Sequence, residues 1–140
     1  EKGQEYGTVT KRKRRCGWFD ANLVKQSVKI SGITDIVLTK LDILDELDFI
    51  QVCVGYILND KKYDYLPFNE LDQSKIKPIY EKIPGWKEST FGITKWSDLP
   101  INAKKYVLFL EELIDIKISI ISTGPERSQT IDKENILGNI

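Results

Sequence analysis

Asp35-Ile36-Val37-Leu38-Thr39-Lys40-Leu41-Asp42 is the stretch of sequence that does most to decide the fold. Residues 35–39 are rich in branched apolar side chains, and this pattern predicts a short buried strand. Lys40 and Asp42 follow at the point where that strand ends. Because ligands of open α/β sheets bind at the carboxyl ends of the strands, these two residues are candidates for ligand binding.

A second buried strand is predicted over residues 116–121, and it ends at Ser122-Thr123-Gly124-Pro125. The clearest helix precedes it at residues 101–114, where apolar side chains recur on one face. A shorter amphipathic helix is predicted over residues 21–30, with Asp20 as its N-cap. Helices that alternate with strands, with polar loops after the strands, indicate an α/β architecture.

The middle of the chain predicts a β-hairpin. Residues 50–58 form the first strand, Asn59-Asp60 the turn, and residues 62–66 the returning strand. We expect this hairpin at a sheet edge or on a peripheral flap. Residues 67–100 contain four of the five prolines, and we expect them to form a long, irregular but packed connection.

Length and composition limit the class of protein. The chain has 140 residues, of which 41% are hydrophobic and 30% charged, as in soluble globular domains. No apolar run approaches the ~20 residues that a membrane helix requires, and no signal peptide is visible. Basic and acidic residues both number 21, so the net charge gives no reason to expect binding to nucleic acid or membranes.

Three residue types add to this. The two cysteines, Cys16 and Cys53, are too few for a secreted disulfide framework, so we expect a reducing, cytoplasmic location. The chain has no His, and we predict no metal-ligand cluster in it. It has no Met either, and we therefore expect it to be part of a longer protein.

Lys40 and Asp42 have the chemistry to read guanine. One carboxylate can accept hydrogen bonds from both N1–H and the 2-amino group, a pair that adenine does not offer. The stem of Lys40 can lie along the ring. Small residues at Ser122 to Gly124 would let backbone amides approach the guanine O6. The alternatives are ordinary loop charges at Lys40 and Asp42 and an ordinary turn at Gly124-Pro125.

The basic block Lys11-Arg12-Lys13-Arg14-Arg15 leaves three interpretations open. It could be a nuclear-localisation or nucleic-acid patch, a solvated loop, or a loop whose Arg side chains grip carboxylate or phosphate. The apolar pair Trp18-Phe19 follows closely, and it indicates a loop that is held in place at one end.

Four segments together resemble the adenylosuccinate synthetase family. Tyr6 to Asp20 is similar to the family's aspartate-loop region, and Leu38 to Asp42, Pro84 to Thr90 and Ile121 to Pro125 match further motifs in order and spacing. The resemblance covers roughly residues 3–131. Any one motif would be weak, but four in register are specific.

The resemblance implies an activity and a fold. The family condenses IMP with L-aspartate at the expense of GTP, requires Mg²⁺ and works as a homodimer. It implies that residues 1–140 are the C-terminal portion of a larger single-domain synthetase, with a P-loop-NTPase-like mixed sheet, flanking helices and a β-hairpin flap. The family's catalytic Asp and His, its phosphate loop and its Mg²⁺ ligands have no counterpart here, so we expect the chain alone to be inactive.

Residue roles also follow from the resemblance. Residues 7–16 correspond to the mobile aspartate loop, in which Arg12 would also approach IMP and Arg14 would reach toward GTP. The implied aspartate-loop residues are Thr8, Val9, Thr10, Lys11, Arg12, Lys13 and Arg14. The implied GTP-binding residues are Arg14, Lys40, Leu41, Asp42, Ser122, Thr123 and Gly124. The family usually carries Gly at the position of Lys11, where a positive φ would cost a Lys ~1 kcal/mol.

Two other functions stay open from the residues alone. The chain could be a stand-alone nucleotide-binding module without catalysis, or a nucleic-acid binder built on residues 11–15.

Overall fold

The computed structural model describes residue 3, residues 5–67 and residues 73–138. In these ranges the chain forms two small sheets and two α-helices. The elements in chain order are β1 (Phe19–Asp20), α1 (Ala21–Ser31), β2 (Asp35–Leu38), β3 (Phe49–Leu58), β4 (Lys61–Tyr63), β5 (Lys77–Pro84), α2 (Ile101–Ile114), β6 (Lys117–Ser122) and β7 (Thr130–Asp132).

The first sheet has the strand order β2-β6-β7. β2 and β6 are parallel, and Leu38 at the end of β2 lies opposite Ile121 near the end of β6. The strand predicted over residues 35–39 is present, but the prediction that it is buried is wrong: β2 lies at the edge of the described sheet, and Val37 is 57% exposed. β7 pairs with β6 in the antiparallel direction, with Ile131 opposite Ile121. The parallel pair therefore brings the polar segments that follow β2 and β6 to the same edge of the sheet.

The second sheet is built around the ten-residue strand β3. β5 runs antiparallel along one side of β3, from Phe49 opposite Pro84 to Ile57 opposite Lys77. β1 and β4 pair with the other side, β1 in the parallel and β4 in the antiparallel direction. The predicted hairpin is confirmed, although β4 ends at Tyr63 rather than at residue 66.

The predicted irregular connection over residues 67–100 is wrong in its middle, because residues 77–84 form β5. Prolines at both ends of this segment argued against a strand. Pro78 and Pro84 stand near the ends of β5, which flanks the sheet, so the missing amides cost little of the ladder. β7 was also not predicted, since three residues are too few to show an alternation.

The core lies between α2 and β6, with contributions from the second sheet. Val107, Leu110 and Ile114 of α2 are fully buried in one cluster with Ile118 and Ile121 of β6. The predicted face of this helix is therefore confirmed. Its apolar side chains fix the position of β6, the strand that leads into Ser122.

The helix ends follow local rules. The carboxylate of Asp20 accepts a hydrogen bond from the amide of Leu23 at 3.0 Å, as predicted for the N-cap of α1. Gly32 ends α1 with φ 62°, in the left-handed region that favours Gly. No helix in the described ranges has both the length and the hydropathy that crossing a bilayer demands.

Two leucines on α2 give a matched test of this core. Leu110 is 0% exposed and Leu108 is 50% exposed. We expect Leu110→Ala to lower the free energy of unfolding by about 2–5 kcal/mol, since it leaves a cavity in the core. Leu108→Ala removes the same atoms from the surface and is expected to change it by less than about 0.5 kcal/mol. Urea denaturation followed by circular dichroism measures both, and equal losses would contradict the packing described.

Candidate functional site

The two segments that the sequence singled out for base recognition are neighbours in space. Residues 39–42 follow β2, residues 122–124 occupy the end of β6 and the turn after it, and the parallel register places the two strand ends side by side. We call these segments the first and second loops. A cleft of about 230 Å³ opens beside the first loop. Its other side is lined by residues 17–19, which follow shortly after the basic block at residues 11–15.

The first loop is shaped by one left-handed residue and one buried anchor. Lys40 has φ 61°, and a short 3-10 turn, Leu41–Leu44, starts directly after it. Leu41 is only 1% exposed, so its side chain anchors the loop in the core. The amide of Asp45 donates to the carbonyl of Asp42 at 3.3 Å and closes the turn.

Lys40 is already engaged in the structure. Its ammonium donates to the carbonyl of Gly3 at 2.7 Å and forms an ion pair with Glu5. The hydrogen bond from Lys40, together with its charge, lowers the pKa of Glu5 below its ordinary value. Glu5 also lies 3.9 Å from a guanidinium nitrogen of Arg14, so one carboxylate connects the first loop to the basic region.

The second loop turns its central residue inward. Thr123 is 0% exposed, its hydroxyl donates to the carbonyl of Ile93 at 2.8 Å, and its amide donates to the carbonyl of Gln129 at 3.0 Å. Thr123 therefore holds the loop in place, and the flanking amides of Ser122 and Gly124 are the better candidates for contact with a base. The hydroxyl of Ser122 donates to the carbonyl of Gly124 at 2.8 Å.

The basic block and the residues before it form a small exposed hairpin, which we call the basic hairpin (residues 7–16). Tyr6 and Lys13 form an isolated antiparallel bridge, and Gly7 donates its amide to the carbonyl of Arg12 at 2.8 Å. Val9 at the tip is 92% exposed. The residues from Thr8 to Cys16 are all exposed, which leaves the guanidinium groups of Arg12 and Arg14 accessible to a ligand.

The backbone at Lys11 has φ 54°. The resemblance implied that this position usually carries Gly, which tolerates a positive φ, and the structure has a positive φ here. The amide of Lys11 donates to the carbonyl of Gly7 at 2.9 Å, which offsets part of the cost.

The C-terminal end of the hairpin is anchored, as Trp18-Phe19 predicted. Both aromatic side chains pack against the core. The hydroxyl of Tyr56 donates to the carboxylate of Asp20, with distances of 2.7 and 2.6 Å to its two oxygens. Burial, and then the hydrogen bond to Asp20, raises the pKa of Tyr56 above its ordinary value. The C-terminal end of the hairpin is thus held against the core, whereas its tip at Val9 is exposed.

Two residues near the site had no signal in the sequence. Glu5 lies 35 positions from Lys40 in the sequence, and nothing in the local pattern pairs the two residues. Asp45, which the sequence did not single out, is buried beneath the first loop and is 6% exposed. The residues that the structure describes include no group of three His, Cys, Asp or Glu side chains that could hold a metal ion.

Fold and site together define an α/β protein whose candidate ligand site lies at the carboxyl ends of two parallel strands, beside a basic loop. The chain belongs to the adenylosuccinate synthetase family, whose model matches residues 1–131. It is 52% identical over 131 residues to adenylosuccinate synthetase 1, chloroplastic, of Ricinus communis and, over the same length, to adenylosuccinate synthetase of Methylobacillus flagellatus. These matches cover 94% of this chain and 30% of each relative, so the chain spans under a third of their length.

Solved structures give the same result. The structure of fully ligated adenylosuccinate synthetase from Plasmodium falciparum matches with a TM-score of 0.90 and 39% identity. The match covers 95% of this chain and 32% of that one. The predicted α/β fold, as part of the P-loop-NTPase-like mixed sheet of this family, is confirmed.

Lys11 and Lys13 provide a matched pair for testing the hairpin. Lys11→Gly removes the cost of the left-handed backbone, about 1 kcal/mol, whereas Lys13→Gly removes the same charge where no such cost exists. We expect Lys11→Gly to slow or preserve hydrogen exchange of the Gly7 amide, and Lys13→Gly to speed it. Exchange measured by mass spectrometry or NMR checks this, and the opposite order would show that the φ at Lys11 is not as described.

Proposed function

We propose that this chain supplies the guanine site and the aspartate loop of a GTP-dependent ligase that joins IMP and L-aspartate to give adenylosuccinate. The observation that carries the proposal is the parallel register of β2 and β6, with Leu38 opposite Ile121. This register sets the loop that carries Lys40 and Asp42 beside a loop of small residues. Family membership supports it, since the relatives are named adenylosuccinate synthetases.

The first loop would hold one edge of the guanine. Asp42 would accept hydrogen bonds from N1–H and the 2-amino group, and the stem of Lys40 would lie along the ring. To do so, the ammonium of Lys40 has to share or exchange its present contacts with Gly3 and Glu5. Leu41 would contribute its backbone, since its side chain is buried.

The second loop would donate to the guanine O6. Ser122 and Gly124 flank Thr123, whose amide is engaged with Gln129, so the donors would come from the flanking positions. The side chain of Gln129 fills the space beside Gly124, where a Cβ would lie 2.2 Å from its Oε1, so the packing of the turn itself requires Gly at this position.

The basic hairpin would bind L-aspartate. The substrate carries two carboxylates, and the planar forks of Arg12 and Arg14 match carboxylates better than ammonium groups do. Thr8, Val9 and Thr10 form the exposed tip that would close over the substrate. Arg12 would also approach IMP, and Arg14, tied to Glu5 at the base of the hairpin, would reach toward GTP.

The chemistry of the ligase explains why a closing loop is useful. GTP would phosphorylate the 6-oxygen of IMP, and the amino group of aspartate would then displace that phosphate, forming the new C–N bond. A phosphorylated intermediate is open to attack by water, and loop closure excludes water from it.

The catalytic and metal groups would come from elsewhere in the protein. In the part of the chain that the structure describes, no three His, Cys, Asp or Glu side chains come together as a metal site. We propose that Mg²⁺, the phosphates of GTP and the catalytic acid and base are held by the remainder of a longer single-domain synthetase, that the whole protein is a cytoplasmic homodimer, and that residues 1–140 alone are inactive.

Base recognition can be tested at Asp42 in the full-length protein. Asp42→Asn replaces one acceptor oxygen by a donor, so we expect it to weaken GTP by about 1–3 kcal/mol and to relax the preference over other nucleoside triphosphates. Steady-state kinetics with each nucleotide measure this, and Asp60→Asn, on the exposed turn after β3, is the control. An unchanged KM for GTP would remove the guanine assignment.

The aspartate loop can be tested at Arg12. Arg12→Lys keeps the charge but loses the fork, and we expect the KM for L-aspartate to rise by the equivalent of about 1.5–3 kcal/mol, with a smaller change for GTP. Arg15→Lys makes the same change at an exposed neighbour outside the implied contacts and should leave both constants near their original values. Equal effects of the two variants would count against the assignment.

A further inference from the structure

The segment from Pro84 to Ile93, which we call the strap, has no role in the function proposed above. It is nevertheless tightly held. The amide of Gly85 donates to the carbonyl of Asp48 at 3.0 Å, and the side chain of Asn102 donates to the carbonyl of Gly85 at 2.8 Å. A Cβ at Gly85 would lie 2.0 Å from the carbonyl oxygen of Leu47, so only Gly fits there. The strap is therefore pressed against the chain that runs from the first loop into β3.

One end of the strap is hydrogen-bonded to the buried carboxylate of Asp45, which closes the turn after the first loop. Asp45 accepts hydrogen bonds from the indole N–H of Trp86 at 2.8 Å, from the amide of Thr90 at 2.9 Å and from the hydroxyl of Thr90 at 2.7 Å. The side chain of Trp86 is itself buried and lies against the ring of Tyr106. Since the amide of Asp45 closes the turn that carries Asp42, these three donors fix the position of the first loop.

The other end of the strap grips the second loop. The amide of Gly92 donates to the carbonyl of Thr123 at 3.2 Å, and the hydroxyl of Thr123 donates to the carbonyl of Ile93 at 2.8 Å. Within the strap, the amide of Ile93 donates to the carbonyl of Thr90 at 3.2 Å. A turn of a few residues therefore joins the part of the strap that contacts Asp45 to the part that contacts Thr123.

We propose that Asp45 is a positioning residue for nucleotide recognition, and that with Thr90 it sets the spacing of the two loops that hold the base. The proposal rests on the guanine site proposed above. A carboxylate on one loop and amides on the other can bind one rigid ring together only if their separation is held to a fraction of an ångström. The pairing of β2 with β6 brings the two loops together. Beyond the last paired residues of these strands, the strap holds the loops through its hydrogen bonds to Asp45 and Thr123.

The positioning role has a specific kinetic signature. Among the hydrogen bonds found within the described ranges, none joins residues 84–93 to the basic hairpin at residues 7–16. Loosening the strap should therefore weaken GTP and its discrimination from inosine triphosphate, which lacks the 2-amino group, and should leave the KM for L-aspartate alone. A general structural defect would change all of these constants and kcat together.

The experiment uses the full-length protein with three variants. Thr90→Val removes one donor to Asp45 and keeps the shape of the side chain, Thr90→Ser keeps the hydroxyl, and Asp45→Asn alters the acceptor itself. Asp48→Asn is the control, because its carboxylate pairs with Lys87 of the strap on the exposed surface. Thermal melting checks that each variant is folded.

We expect Thr90→Val and Asp45→Asn to raise the KM for GTP roughly tenfold and to reduce the GTP preference over inosine triphosphate by a similar factor. Thr90→Ser and Asp48→Asn should stay near the original values, and kcat at saturating GTP should not change. An unchanged KM for GTP in folded Thr90→Val, or a parallel change in every constant, overturns the positioning role. Asp42→Asn measured alongside separates the two proposals: if it raises the KM for GTP while Thr90→Val does not, only the positioning role fails, and if it has no effect, both fail.

Discussion

The parallel pairing of β2 with β6 is the constraint on which the rest of the structure depends. Two strands that run in the same direction deliver the segments after them to one edge, and here those segments differ in chemistry. The pairing is stabilised by α2, whose buried side chains pack against β6 in the hydrophobic core. The hydrophobic effect thus fixes the strands from which the polar groups of the candidate site extend, and the position of the site depends on the core.

Much of this arrangement could be predicted from the amino-acid pattern. The branched apolar runs at residues 35–39 and 116–121 reveal the two parallel strands, and the helical face at residues 101–114 has a clear period. The predicted burial is correct for β6 but wrong for β2, where Val37 is 57% exposed. β5 and β7 could not be predicted, since the first is bounded by prolines and the second is three residues long. Both strands are defined by the strands that they pair with, and pairing between segments far apart in the sequence produces little pattern within a short stretch of sequence.

The candidate site divides in the same way. Lys40 and Asp42 were predictable as candidates because they follow β2, and Ser122 because it stands at the end of β6. Arg12 and Arg14 were predictable because they stand in a conspicuous basic block. The inward turn of Thr123 and the burial of Asp45 were not, because both follow from hydrogen bonds to residues 85–93, far away in the sequence. A buried carboxylate with three donors resembles a loop charge until its partners are known.

The left-handed backbone at Lys11 and Lys40 has a consequence for sequence variation. Each residue begins a bend in a segment of the proposed site, and L-residues with a branched Cβ fit that region of φ poorly. Libraries that randomise the two positions should therefore return Gly, Asn, Asp and unbranched side chains and be depleted of Val, Ile and Thr, even before any selection for substrate. Backbone geometry thus restricts which side chains Lys11 and Lys40 can be exchanged for, although these are the positions where an attempt to change ligand specificity would begin.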